Sequence, residues 1–239
     1  MNLVLDLGNS QGKAALFHAN DLTKKFTFQT VLELKNELAN EEIENAIVSC
    51  VTQSDEIFFS EVRVKRKKLK LSYQLPLPVQ INYGTPQTLG VDRIAGACGA
   101  RALFPTRNCL IIDAGTCINY EFLTNEGVYM GGAISPGVEM RFKAMHTFTS
   151  RLPLAMAKAE AKLTGETTDG CLQSGVMNGI RFEMEGAILQ YQEKYADLTV
   201  LLCGGDAPLF ENKLKPTIFA APDLVLTGLN SILSYNAAL

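Results

Sequence analysis

Asp6-Leu7-Gly8-Asn9-Ser10-Gln11-Gly12-Lys13 follows directly on the apolar run Leu3 to Leu5, and little in that octet suits a buried strand. Its residue types suit a polyphosphate and a cation. Backbone N–H groups in a tight loop hold phosphate, and only glycine lets the chain approach closely. Gly8 and Gly12 meet that need. A hard cation such as Mg2+ takes carboxylate oxygen and water, so Asp6 would hold the metal or its waters. Asn9 and Ser10 add hydrogen-bond donors, and Lys13 adds a point charge. The spacing is not that of G-x-x-x-x-G-K-[ST]. Lys13 also reads simply as a solvent-facing strand residue.

The pattern returns. "LIIDAGTCINYEFL", Leu110 to Leu123, repeats the form of "LVLDLGNSQGKAALF", Leu3 to Phe17. Each has an apolar run, an aspartate (Asp6 or Asp113), one residue, a glycine and small polar residues, then a second strand. Asp113, Gly115 and Thr116 thus occupy the mirrored place. "AIVSCV" from Ala46 and "VLLCGGD" from Val200 match more loosely. Two such stretches at strand ends favour internal duplication over coincidence. They imply two related α/β halves, 1–112 and 113–239, with a ligand between them and both aspartates facing it. "CGGDAP", Cys203 to Pro208, adds a strand-to-glycine turn of the sort that packs against an adenine ring.

Between these lies "YGTPQTLGVDR", Tyr83 to Arg93. Asp92 and Arg93 open a helix rich in glycine and alanine. An arginine beside a helix N-terminus can grip an anion, often a carboxylate. The neighbouring aspartate can take a proton from a hydroxyl. A structural Asp–Arg pair or a helix cap accounts for the same two residues equally well.

The elements that must position these groups alternate. Strands are expected at Met1 to Asp6, Ala14 to His18 and Ala46 to Val51. Helices are expected over Val31 to Ala39, Ile57 to Lys68 and Ile94 to Leu103, and an extended, proline-marked segment over Gln74 to Tyr83. The basic run "RVKRKKLK", Arg63 to Lys70, is expected to be a solvated helix face with charges suited to a helix C-terminus.

With 239 residues the chain can bury a sizeable core. A net charge of −3 gives no argument for nucleic acid or an anionic membrane surface. No apolar run approaches the ~20 residues of a membrane span, and the amino terminus does not read as a signal peptide. Six cysteines without a C-x-x-C pair, and two histidines, argue against zinc. Most of the cysteines sit beside apolar residues and read as small buried hydrophobes, reduced thiols of a cytoplasmic protein.

In order along the chain, "DLGNSQGK", "YGTPQTLGVDR", "DAGTCINYEF", "GGAISPG" (Gly131 to Gly137), "LTGETTDGCLQSG" (from Leu163) and "CGGDAP" resemble the type III pantothenate kinases, members of the actin-like, sugar-kinase and Hsp70-like ATPase superfamily. Ser10 departs from the usual threonine but keeps the hydroxyl. The resemblance implies two duplicated ribonuclease-H-like domains with a nucleotide cleft between them. It implies ATP-dependent phosphorylation of pantothenate to 4′-phosphopantothenate, the first step of coenzyme A synthesis. Asp92 would be the general base. Tyr83, Gly90, Val91, Asp92, Arg93 and Thr168 would bind pantothenate. Asp6, Leu7, Gly8, Asn9, Ser10, Gln11, Gly12, Lys13 and Thr116 would bind ATP with Mg2+, and Asp113 would hold K+ or NH4+. A homodimer is implied, with the pantothenate pocket at or near the subunit interface. A sugar or acetate kinase, or a nucleotide-binding regulator on the same fold, is the alternative.

Overall fold

Leu3, Val4 and Leu5 face no solvent because the strand that carries them is covered on both faces, as near-continuous apolar strands are. Each such leucine contributes about 1.5–3 kcal/mol by leaving water. In a computed structural model, which describes residues 1–8, 11–50 and 61–239, this strand is β1 (Asn2–Leu7). It pairs antiparallel with β2 (Gly12–His18), and β2 with β3 (Asp21–Phe28). Helix α1 (Val31–Glu37) starts at Thr30, whose hydroxyl accepts from the Glu33 amide. Strand β4 (Asn45–Cys50) then lies parallel to β1, with Asp6 level with Ser49.

The basic run departs from expectation. Residues 57–60 of the expected helix lie outside the described residues. From Arg63 the chain is not helical, and Lys68–Lys70 forms β5, parallel to β4 at the edge of the sheet. Leu69 is half-buried and the two lysines are exposed, a charged edge that resists further pairing. Lys65 and Arg66 instead meet Glu42 and Glu44 at 2.8 and 3.8 Å. The short β6 (Gln80–Ile81) and α2 (Val91–Leu103) follow.

A second series begins with β7 (Asn108–Ala114), antiparallel to β8 (Cys117–Leu123). Next come β9 (Val128–Pro136), whose start pairs with β6, then α3 (Val138–Thr147) and α4 (Thr168–Gln173). A π-helical turn, Ser174–Asn178, leads into α5 (Gly179–Lys194). Strand β10 (Leu198–Cys203) runs parallel to β7, and β11 (Phe219–Ala220) parallel to β10. The last element is α6 (Leu224–Ala238).

The five-stranded order β3-β2-β1-β4-β5 recurs as β9-β8-β7-β10-β11 in the second sheet, which carries β6 as a sixth strand beyond β9. β1 and β7 each have an antiparallel partner on one side and a parallel one on the other. The two compact units do not divide at 112/113. One is Met1–Thr106 with Glu126–Met130 and Asp223–Leu239; the other is Arg107–Asn125 with Gly131–Pro222. Each has its own apolar core. Helix α6 belongs to the first unit because it packs on α2, β1 and β4. A Cβ on Gly228 would lie 1.8 Å from the Ala95 carbonyl oxygen, and one on Gly99 2.2 Å from that of Leu224, so glycine is needed on both helices. Buried Asn230 adds a polar latch, accepting from Asn2 and donating to the Ala19 carbonyl.

Candidate active site

In the first unit, Asp6 sits one residue before the end of β1, half-buried between Lys13 on β2 and Ser49 on β4. Burial pushes its carboxyl above the ordinary carboxylate range. Lys13 pulls it back, the charge of Asp92 pushes it up again, and a hydrogen bond from Ser49 lowers it. Leu7 is part of the apolar core and is paired with Gly12 on β2 and Cys50 on β4. Gly8, Gln11 and Lys13 are exposed; Asn9 and Ser10 lie outside the described residues. Gly12 has a packing reason of its own: a Cβ there would lie 2.4 Å from the Phe28 ring.

Asp92 and Arg93 occupy the first turn of α2, after Gly90 as N-cap and a half-buried Val91. Asp92 Oδ1 accepts from the Arg93 amide at 2.9 Å, so the carboxylate folds over the helix start. A Cβ on Gly90 would lie 2.5 Å from that oxygen, so glycine makes room for the carboxylate. Arg93 is buried, its guanidinium 5.7 Å from the Tyr83 ring centroid, and Tyr83 packs on Tyr129 at 6.1 Å. Tyr83, Gly90, Val91, Asp92 and Arg93 thus form one cluster, with Asp6 within its electrostatic reach.

In the second unit, Asp113 sits one residue before the end of β7, opposite Asn119 on β8 and Cys203 on β10. Gly115 closes a tight turn by donating to the Cys117 carbonyl at 2.9 Å, and Thr116 is exposed at its tip. Gly204 has φ +94°, and a Cβ there would lie 2.2 Å from the Ala114 oxygen and 2.4 Å from Asp113 Oδ1. Only glycine fits both the conformation and the approach. The Asp206 amide donates to Ala114 at 2.8 Å, which ties "CGGDAP" to the Asp113 strand. Thr168 is the first residue of α4 and is exposed; the capping hydroxyl is that of Thr167, which accepts from Gly170. Asp113, Thr116 and Thr168 therefore belong to one unit, and the Asp6 and Asp92 clusters to the other.

Two groups escaped the sequence reading. Ser49 was visible only as a lone hydroxyl in the otherwise apolar "AIVSCV". Tyr120, Arg141 and Glu183 interact across long sequence separations that no local pattern reveals.

The arrangement suits phosphoryl transfer. Among the described residues no group of three or more His, Cys, Asp or Glu side chains is placed to hold a metal. A divalent ion would need phosphate oxygens and water besides a carboxylate, as Mg2+ on a nucleotide does. Asp6, half-buried at a glycine-bearing turn and steadied by Ser49, fits such a single-carboxylate site.

A family model for type III pantothenate kinase matches residues 2–190. A type III pantothenate kinase from Cytophaga hutchinsonii is 44% identical over 236 residues, covering 99% of this chain and 100% of that one. Among solved structures, a Campylobacter jejuni chain whose name assigns it to the Baf family of transcriptional activators has a TM-score of 0.65 at 23% identity, covering 99% of this chain and 100% of that one. Glucokinase from an Antarctic psychrotroph has a TM-score of 0.54 at 12% identity, covering 98% of each chain. At these identities the structural likenesses speak for the fold alone, and it is the fold of the actin-like ATPases and sugar kinases. The family match and the full-length relative go further: this chain belongs to the type III pantothenate kinase family.

Proposed function

We propose that this enzyme transfers the γ-phosphoryl group of ATP to the 4′-hydroxyl of pantothenate, forming 4′-phosphopantothenate and ADP in the first step of coenzyme A synthesis. The full-length relative carries this reading. In the transfer, the bond from the acceptor oxygen to the γ-phosphorus forms as the bond to the β,γ-bridging oxygen breaks, and the hydroxyl proton passes to Asp92. Arg93, held against Tyr83, donates to the acceptor's oxygen atoms, and Gly90 and Val91 shape the wall beside it. Thr168 supplies a further acceptor contact. The backbone from Leu7 to Gly12, with Lys13 and Thr116, holds the phosphates. Mg2+ supplies charge neutralisation on them, and Asp6 binds it directly or through water. Asp113 holds K+ or NH4+, which offsets negative charge without competing for octahedral coordination.

The working form is a homodimer in the cytoplasm, with the acceptor pocket near the subunit interface. That placement shields the alcohol from water, which would otherwise compete as acceptor. A coupled assay of ADP release with pantothenate, run beside sugars and acetate, tests the reading. Turnover with pantothenate alone is expected. Turnover only with a sugar or acetate, or ATP binding without turnover on any acceptor, would replace it with the sugar-kinase or regulatory alternative.

A further inference from the structure

Arg141, one turn into α3, makes three side-chain contacts. Its Nε donates to the Pro136 carbonyl at 2.8 Å, and its Nη2 donates to Ser135 Oγ at 2.7 Å and to Glu183 Oε2 at 2.6 Å. Glu183, on α5, also accepts from the buried Tyr120 hydroxyl on β8 at 2.8 Å. The end of β9 that Arg141 grips, Ser135 and Pro136, turns into α3 at Gly137. The Gly137 amide donates to the Thr116 carbonyl at 3.1 Å, and a Cβ on Gly137 would lie 2.1 Å from the Gly115 oxygen and 2.5 Å from that of Thr116. Backbone touches backbone there, with no side chain to absorb a shift. A displacement of the Ser135–Gly137 turn must therefore move the Gly115–Thr116 turn.

The guanidinium fork is what makes this grip directional. Its donors lie in one plane at fixed angles, and here they reach two successive residues of the turn and a carboxylate at once. A lysine ammonium carries the same charge but cannot reproduce the fork.

We propose that Arg141, anchored by Glu183, is a positioning residue for the nucleotide: it sets the place of Thr116 through the Ser135–Gly137 turn, and so governs ATP affinity and not acceptor affinity. This rests on the reading of Thr116 as a phosphate contact.

The test is equilibrium binding of Mg2+·ATP and of pantothenate, with melting temperature recorded, for the wild type, Arg141→Lys, Thr116→Ala and the double variant. Glu183→Gln serves where Arg141→Lys folds poorly. Arg141→Lys is expected to weaken ATP binding roughly 3- to 30-fold and to leave pantothenate binding unchanged. In the Thr116→Ala background the same change is expected to add nothing, because its effect travels through a contact already lost. Unchanged ATP binding in a folded Arg141→Lys, equal weakening of both ligands, or additive losses in the double variant would each overturn the proposal. Loss of pantothenate turnover by the wild type itself would overturn the functional reading instead, and the binding comparison would still decide this one.

Discussion

Ser49 stands level with Asp6 on the adjacent parallel strand, and its side chain hydrogen-bonds the Asp6 carboxylate. The equivalent partner of Asp113 in the second unit is Cys203. The two repeats therefore place their aspartates alike and surround them differently. The first has a hydroxyl donor and a lysine in register; the second has a thiol, an asparagine and the close backbone of Gly204. The ion roles proposed for the two aspartates, a divalent ion at Asp6 and a monovalent one at Asp113, can therefore be tested separately.

Ser49→Ala should then weaken the apparent affinity for Mg2+ by about 10-fold, the usual effect of removing a hydrogen bond that orients a ligand. Turnover at saturating Mg2+ should change little. Titrating Mg2+ at fixed ATP decides the matter, and superimposable curves for variant and wild type would remove Ser49 from the metal's surroundings.

At Asp113 the expected signature is ionic. Activity should rise with K+ or NH4+ at constant ionic strength, with Na+ a poor substitute, and Asp113→Ala should lose both activity and the dependence. Equal rates in potassium and sodium buffers would count against the assignment.

The duplication was legible because it is written locally. An apolar run ending in Asp-x-Gly needs only adjacent residues, and both copies fold into the same strand order. The cluster at Asp92 was legible for the same reason, since Gly90, Asp92 and Arg93 are one helical turn. The basic run was misread because charge alone does not choose between helix and edge strand; its acidic partners, Glu42 and Glu44, come from a loop some twenty residues earlier. Gly12 reads in the sequence as a phosphate-loop glycine, and the fold adds a second pressure on it, since any Cβ there would have to displace the Phe28 ring. The return of α6 to the first unit depends on glycines of two distant helices meeting face to face, and no periodicity within either helix reveals that.

Those glycines give a stability prediction. Gly228→Ala would drive a methyl into the Ala95 carbonyl, a backbone atom that cannot rotate away. The two helices must separate, at a cost of about 1–3 kcal/mol, as for other overpacked sites. Since Asp92 and Arg93 lie in the first turn of α2, the proposed acceptor site should also be affected, with pantothenate binding weakened more than ATP binding relative to wild type. Denaturant melts and the two KM values measure this, and an unchanged midpoint would show that the crossing is looser than described.

Glu183 sets a pH dependence. Burial alone would raise its carboxyl, but hydrogen bonds from Arg141, Ser135 and Tyr120 and the Arg141 charge outweigh it, and the group is held below its ordinary value of 4.5. A carboxyl lowered on folding lends stability at every pH above that ordinary value, and the contribution drains away as pH falls through the folded value. Glu183→Gln does not titrate. The melting-temperature advantage of wild type over this variant should therefore be constant from about pH 7 to pH 5.5 and shrink below about pH 4.5. A difference independent of pH down to about pH 3 would mean that the carboxylate charge is not what holds Arg141.

Asp92→Asn separates proton transfer from architecture. The hydrogen bond that Asp92 makes at the helix start uses Oδ1 as acceptor from the Arg93 amide, and an asparagine oxygen can accept the same bond. The room for the side chain, left by Gly90, is unchanged, and Arg93 keeps its seat on Tyr83. What the amide cannot do is take the hydroxyl proton as the acceptor oxygen bonds to phosphorus. A positioned base contributes about 10²–10⁴-fold, so kcat should fall by that factor while ATP binding stays close to wild type. Single-turnover rates beside a direct ATP-binding measurement separate the two quantities. Turnover near wild type in a folded Asp92→Asn protein would take the base role away from this residue and leave it as an acidic residue of the helix's first turn.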